Sequence, residues 1–157
     1  MDTVDAFQGT RDDPQSDAWW LFAAINAVVE VDHLDRFSRQ FGKRYGDNAV
    51  REVSALAHQQ LRGPFDRLGR WQDDQLIILL SDVSMFQAEE ICERLRIAID
   101  EAEFFHKGRT SHVTASFGVA PLQAGSSLED AAELADAALK EARRFGRPVR
   151  RGQRSGH

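Results

Sequence analysis

Two adjacent carboxylates, Asp73 and Asp74, stand in the turn of a predicted β-hairpin over residues 66–80. The second strand of this hairpin, residues 76–80, is a continuous apolar run, which is typical of a strand buried on both faces. Side chains in such a turn lie at the rim of a sheet, where neighbouring carboxylates could hold Mg²⁺. A solvated polar turn without a ligand is the alternative interpretation.

A second pair of acids ends the apolar segment at residues 18–31. The later part of this segment is rich in β-branched residues and predicts a central strand. Glu30 and Asp32 are two positions apart, so they point to the same side of that strand.

Apolar periodicity predicts the elements that must position these acids. We expect helices at residues 33–45, 48–61, 84–99 and 126–144 and a strand at 112–120. Residues 104–110 are interpreted as a connection, with or without a short strand. Gly42 suits a C-terminal cap, Ser84 with Gln87 has the spacing of a capping box, and Ser126 with Glu129 repeats that spacing. The order predicts an α/β (α+β) fold with a central mixed sheet flanked by helices, for which a ferredoxin-type core is suitable.

One folded domain is expected over residues 18–147, between a flexible leader at 1–17 and a disordered basic tail at 148–157. Trp19 and Trp20 beside Phe22 are interpreted either as core residues or as an exposed patch where a partner docks.

Composition narrows the class of protein. The chain has 157 residues, 42% of them hydrophobic and 29% charged, as in an ordinary globular domain. A net charge of −5 argues against nucleic-acid binding. The single cysteine, Cys92, has the helical spacing of a core residue and indicates a reducing compartment. Since there is neither a signal-peptide pattern nor an apolar run of membrane-spanning length, we expect a cytoplasmic protein.

Four motifs, spread along the chain, resemble those of the GGDEF domain of diguanylate cyclases, which has a palm-like fold. The family hairpin R-Y-G-G-D-E-F aligns with RWQDDQL at residues 70–76. The other matches are D-x-D-x-F-K-x-x-N-D-x-x-G-H-x-x-G-D with residues 30–47, V-T-V-S-I-G-V-A with 113–120, and A-D-x-A-L-Y-x-A-K-x-x-G-R with 135–147. The resemblance implies that two domains, each holding one GTP, join their nucleotides into cyclic di-GMP by phosphoryl transfer.

The resemblance also assigns roles to positions of this chain. It implies Glu30 and Asp74 as Mg²⁺ ligands, Ser38 and Asp47 as guanine contacts, and Arg143 and Arg147 as basic residues on the last helix. An N-cap is the alternative interpretation of Asp47. His33 is interpreted as an ordinary surface residue.

The chain departs from the family pattern mainly where the nucleotide would lie. The motif Gln72, Asp73, Asp74, Gln75, Leu76 lacks both glycines and the second acid, and Asp35 replaces a lysine that pairs with phosphate. Ser38 replaces the asparagine that reads guanine. The product-inhibition motif R-x-x-D keeps its acid as Asp66, but Gly63 stands at the arginine position and Arg62 is one residue early.

These departures favour a catalytically inactive GGDEF domain, with no catalytic residues and no cofactor expected, that serves as a regulatory or protein-interaction module. Implied partners are EAL, HD-GYP, PilZ or other GGDEF proteins, with a homodimer possible. One alternative is a divergent active cyclase using Mg²⁺ at Glu30 and Asp74. The other is a GTP sensor without turnover.

The six arginines from 143 to 154 would bind a phosphate or an acidic partner, or form a solvated tail.

Overall fold

The computed structural model describes residues 23–62, 66–72, 74–122 and 125–144. The predicted leader (1–17), the Trp19–Trp20–Phe22 cluster and the basic tail (148–157) lie outside these residues, as do Gly63, Asp73 and Arg147. The elements, in chain order, are β1 (Ala23–Val31), α1 (Leu34–Phe41), α2 (Lys43–Gln60), β2 (Asp66–Gln72), β3 (Gln75–Ser81), α3 (Met85–Glu101), β4 (Phe104–His106), β5 (Arg109–Ser111), β6 (Ala115–Pro121) and α4 (Leu128–Arg144).

A four-stranded sheet in the order β2-β3-β1-β6 forms the centre of the domain, and β4 pairs with β5 in a separate hairpin. The predicted α/β class and the β2–β3 hairpin are confirmed. The expectation of a mixed sheet is wrong, because the three pairs β1–β3, β1–β6 and β2–β3 are all antiparallel. Each helical crossover joins strands that run parallel, but another strand lies between them, so parallel strands are never neighbours.

Alternation along the strands divides the apolar core between the two faces of the sheet. On one face, Val29 of β1 and Ile78 of β3 pack against α2 and α3. On the other face, Val28 of β1 and Ile77 of β3 pack against α4. Strand β3 is buried on both sides, as its unbroken apolar run predicts.

Helix α4 lies very close to β6 because Gly118 has no side chain. A Cβ atom at Gly118 would lie 1.9 Å from the carbonyl oxygen of Ala135. This close approach brings the C-terminal half of α4 over one end of the sheet.

Several helix ends differ from the predictions. Gly42, at φ +104°, ends α1 by donating its N–H to the carbonyl of Ser38, and α2 begins at Lys43. The predicted start of α2 at residue 48 is therefore too late. The capping box of Ser84 and Gln87 is confirmed. At α4 the capping oxygen belongs to Ser127, which accepts from the N–H of Asp130, so the prediction of Ser126 is wrong by one residue.

Cys92 lies in the core between the sheet and α3, as predicted. Burial raises the pKa of its thiol to about 12. Among the described helices, none combines the length and apolar character needed to cross a lipid bilayer.

Leu139 and Leu134 provide a matched test of the α4 packing, since Leu139 is 1% exposed and Leu134 is 55% exposed. We expect Leu139→Ala to lower the free energy of unfolding by about 3 kcal/mol through the cavity it leaves. Leu134→Ala should change it by less than about 0.5 kcal/mol. Urea denaturation measures both values, and equal losses would contradict the position given to α4.

Candidate functional site

Three strands place polar side chains in one row on the α4 face of the sheet. Glu30 of β1 stands opposite Gln75 of β3 and opposite Ser116 of β6. Residues paired in this way share a face of the sheet. The row therefore continues the apolar surface that Val28 and Ile77 form beneath α4.

Gln75 connects two of the acids in this region. Its side-chain amide nitrogen donates to Glu30 Oε1 at 2.7 Å and to Asp136 Oδ1 at 2.9 Å. Asp136 lies on α4 and also pairs with the exposed Lys140, at 2.9 Å. Because an amide NH₂ has two donor hydrogens, the donor capacity of Gln75 is fully used between β1 and α4.

Arg143 fills the space between Glu30 and Asp32. Its Nη1 donates to Glu30 Oε2, its Nη2 donates to Asp32 Oδ1, and its Nε donates to Ser116 Oγ at 3.1 Å. Burial lowers the pKa of Arg143, but the hydrogen bond to Asp32 and the charges of Asp32 and Glu30 outweigh it, so the pKa is raised. The guanidinium is charged at every physiological pH.

Asp32 is held from both sides. The hydroxyl of Ser116 donates to Asp32 Oδ1 at 2.6 Å, and that of Thr114 donates to Asp32 Oδ2 at 2.7 Å. The side chains of Glu30 and Asp32 are only 15% and 12% exposed. Such buried carboxylates require partners, and every oxygen of both has one.

The pair of Glu30 and Asp32 does not fit a magnesium ion. Mg²⁺ needs octahedral oxygen coordination at short range, whereas both oxygens of Glu30 and both of Asp32 accept hydrogen bonds from protein donors. Within the described part of the chain, no group of three or more His, Cys, Asp or Glu side chains is placed to hold a metal ion.

The residues of the predicted turn motif lie in different environments. Leu76 is buried in the core and Gln72 is exposed. The carbonyl of Asp74 accepts from the N–H of Val31 at 3.0 Å, which fixes the hairpin end against β1.

Ser38 and Asp47, the predicted guanine contacts, lie on α1 and α2. Ser38 Oγ lies against Gly46, where an added Cβ would be 2.0 Å away. Asp47 pairs with exposed Lys43 at 3.2 Å. The N-cap interpretation of Asp47 is wrong, because α2 begins four residues earlier. Guanine binding by these residues stays a prediction.

Asp66, the acid of the product-inhibition motif, is bound within the chain. Its side chain is fully buried, and the guanidinium of Arg62 donates to both of its oxygens, at 3.0 and 2.7 Å. The backbone N–H of Arg62 also donates to it at 2.9 Å. The hydrogen bond to Asp66 raises the pKa of Arg62.

No sequence pattern assigned a role to Ser116, Thr114 or Asp136. The alternation of side chains along β1 was enough to predict that Glu30 and Asp32 lie on one side of the strand. The same alternation in β6 places Ser116 on the face of the apolar Ala120. No local pattern indicates that Asp136 meets Gln75, since 61 positions separate them.

The chain is similar to known diguanylate cyclases. The family model described as "Diguanylate cyclase, GGDEF domain" matches residues 24–148. Diguanylate cyclase DgcP of Pseudomonas aeruginosa is 31% identical over 121 residues, which cover 77% of this chain and 18% of that protein. Diguanylate cyclase A of Treponema denticola is 26% identical over 121 residues, covering 76% of this chain and 32% of that protein. The chain thus spans less than a third of the length of these relatives.

Solved structures share the fold. Diguanylate cyclase SiaD of Pseudomonas aeruginosa, solved in complex with its activator SiaC, matches with a TM-score of 0.74 at 25% identity, over 92% of this chain and 54% of that one. The GGDEF domain of DgcB from Caulobacter crescentus, solved with c-di-GMP, matches with a TM-score of 0.75 at 23% identity, over 91% of this chain and 85% of that one.

Gln75→Glu tests the amide bridge, because a glutamate there would place a third carboxylate beside Glu30 and Asp136. We expect the free energy of unfolding at neutral pH to fall by about 1–3 kcal/mol. The exposed Gln72→Glu is the control, with an expected change under about 0.5 kcal/mol. Chemical denaturation gives both values, and wild-type stability in Gln75→Glu would rule out the bridge.

Asp66→Ala tests the internal ion pair with Arg62. Losing a buried acceptor of charged and backbone donors should lower stability by about 1–3 kcal/mol. Asp35→Ala is the control, since Asp35 is 81% exposed and lies 3.7 Å from Arg39, an exposed pair of little expected value. If thermal melting shows similar losses for both variants, the Arg62–Asp66 pair does not have the assigned role.

Proposed function

Because the chain belongs to the GGDEF domain family of diguanylate cyclases, we propose that it is a catalytically inactive member that acts as a regulatory or protein-binding module in cyclic di-GMP signalling. The family assignment rests on a match that covers most of the chain. The inactive state and the regulatory role are inferred from the chemistry of the site.

One observation carries the proposal: both carboxylate oxygens of Glu30 are bound by protein donors, Gln75 and Arg143. Glu30 stands where the resemblance puts a metal ligand. A carboxylate whose two oxygens both accept from protein donors must give up those contacts to bind Mg²⁺, and Mg²⁺ itself gives up its hydration water reluctantly.

Substitutions around this site support the same conclusion. Gln75 has no negative charge where the family has an acid, and Gln72 puts a side chain where glycine lets a nucleotide approach the backbone. Asp35 would repel a triphosphate that the usual lysine attracts, and Ser38 is too short to read a guanine edge as asparagine does. Each lost charged or polar contact costs on the order of 1–3 kcal/mol, and all fall on one ligand.

A protein-binding role would use the folded surface of the domain. Proteins of the same network, such as EAL, HD-GYP or PilZ proteins or a second GGDEF chain, are the proposed partners. The solved complex of SiaD with its activator gives a precedent within the fold for association with another protein. Such a domain would act in the cytoplasm, where GTP and cyclic di-GMP are made and used.

A turnover assay tests the inactive state. The full chain at tens of micromolar, a concentration that favours dimers, is incubated with GTP and either Mg²⁺ or Mn²⁺, and nucleotides are separated by liquid chromatography. We expect no cyclic di-GMP above the level of a protein-free blank, whereas an active cyclase in parallel gives product. Steady product formation that Asp74→Ala abolishes would overturn the proposal in favour of a divergent active enzyme.

A further inference from the structure

Glu30 is linked to two other acids at the end of the sheet: Arg143 joins it to Asp32, and Gln75 joins it to Asp136 on α4. Glu30 and Asp32 are largely shielded from water, so their mutual repulsion is only weakly screened. Carboxylates with so little exposure to water need a positive partner close by. The fold must therefore supply positive charge at this place.

Arg143 supplies that charge in a fixed geometry. Its guanidinium reaches one carboxylate with each terminal nitrogen and the hydroxyl of Ser116 with its Nε. A planar fork of donors is well suited to two carboxylates side by side. Helix α4 is in close contact with β6 at Gly118, where Leu139 packs.

Gln75 makes the arrangement complete. A neutral amide bridges Glu30 and Asp136 where an acid would add a further negative charge. Glu30 therefore receives a donor on each oxygen, one from β3 and one from α4.

We propose that the guanidinium of Arg143 is a built-in counter-ion that occupies the place between Glu30 and Asp32 where a cation from solution would otherwise bind, and that it keeps this end of the sheet ordered without metal. The site is thus closed by the chain itself, and its geometry is independent of the supply of Mg²⁺ and GTP. The inference rests on the proposed function in one respect: it takes the metal-free arrangement of Arg143, Glu30 and Asp32 as the functional state of the domain.

Removing the internal cation should open the carboxylates to an external one. The test titrates MnCl₂ into the full chain, with calorimetry for affinity and melting temperature as a second readout, because a ligand that binds only the folded state raises it. We expect no saturable Mn²⁺ binding by the wild type in the low millimolar range. Arg143→Ala should bind Mn²⁺ at least about tenfold more tightly and regain melting temperature as Mn²⁺ is added.

Two control variants test whether the Mn²⁺ binding gained by Arg143→Ala arises at Glu30. Arg144→Ala removes the neighbouring exposed arginine and should behave like the wild type. The double variant Glu30→Gln with Arg143→Ala should lose the gained Mn²⁺ binding. If Arg143→Ala does not fold, Arg143→Gln keeps much of the side-chain length without the charge and takes its place in the series.

Two results would overturn the inference: wild-type binding of Mn²⁺ as tight as that of the folded Arg143 variant, or a gain that persists in the double variant. Neither outcome depends on turnover. Cyclic di-GMP synthesis by the wild type would instead defeat the proposed function, whatever the Mn²⁺ titration gives.

Discussion

The ion pairs of Arg143 with Glu30 and Asp32 determine how one end of this domain is built. They join α4 to β1, and the contact with Ser116 adds β6. Burying charged groups is costly unless each is paired and hydrogen-bonded. Here the register of β1 against β3 and β6 places Gln75 and Ser116 on either side of Glu30, so the polar row is complete only in this sheet.

The same use of acids recurs at the other end of the β2–β3 hairpin. Asp66, buried at the start of β2, binds the guanidinium and backbone N–H of Arg62. Arg62 also donates to the carbonyl of Ser81 at the end of β3. Two acids at positions that in the GGDEF family face ligands therefore serve internal contacts in this chain.

Much of the fold follows from the sequence, because apolar periodicity reflects burial. The run at residues 76–80 predicted the doubly buried β3, and apolar periodicity predicted a helix where α4 lies. The prediction of a mixed sheet was wrong, since local sequence patterns do not show which strand lies between two others. The C-terminal cap at Gly42 was predicted correctly, but the start of α2 was placed too late, because a single glycine at positive φ ends one helix and lets the next begin at once. The contact of Glu30 with Arg143 could not be predicted from the sequence, because 113 positions separate the two residues and only the packing of α4 brings them together.

The most direct measurement is a crystal structure of the full chain grown in millimolar MnCl₂, with anomalous diffraction data to locate manganese. Our account predicts that the guanidinium of Arg143 lies between Glu30 and Asp32, that the Gln75 amide bridges Glu30 and Asp136, and that no anomalous peak lies within coordination distance of Glu30. An anomalous peak at Glu30, with Arg143 turned away from both carboxylates, would contradict it.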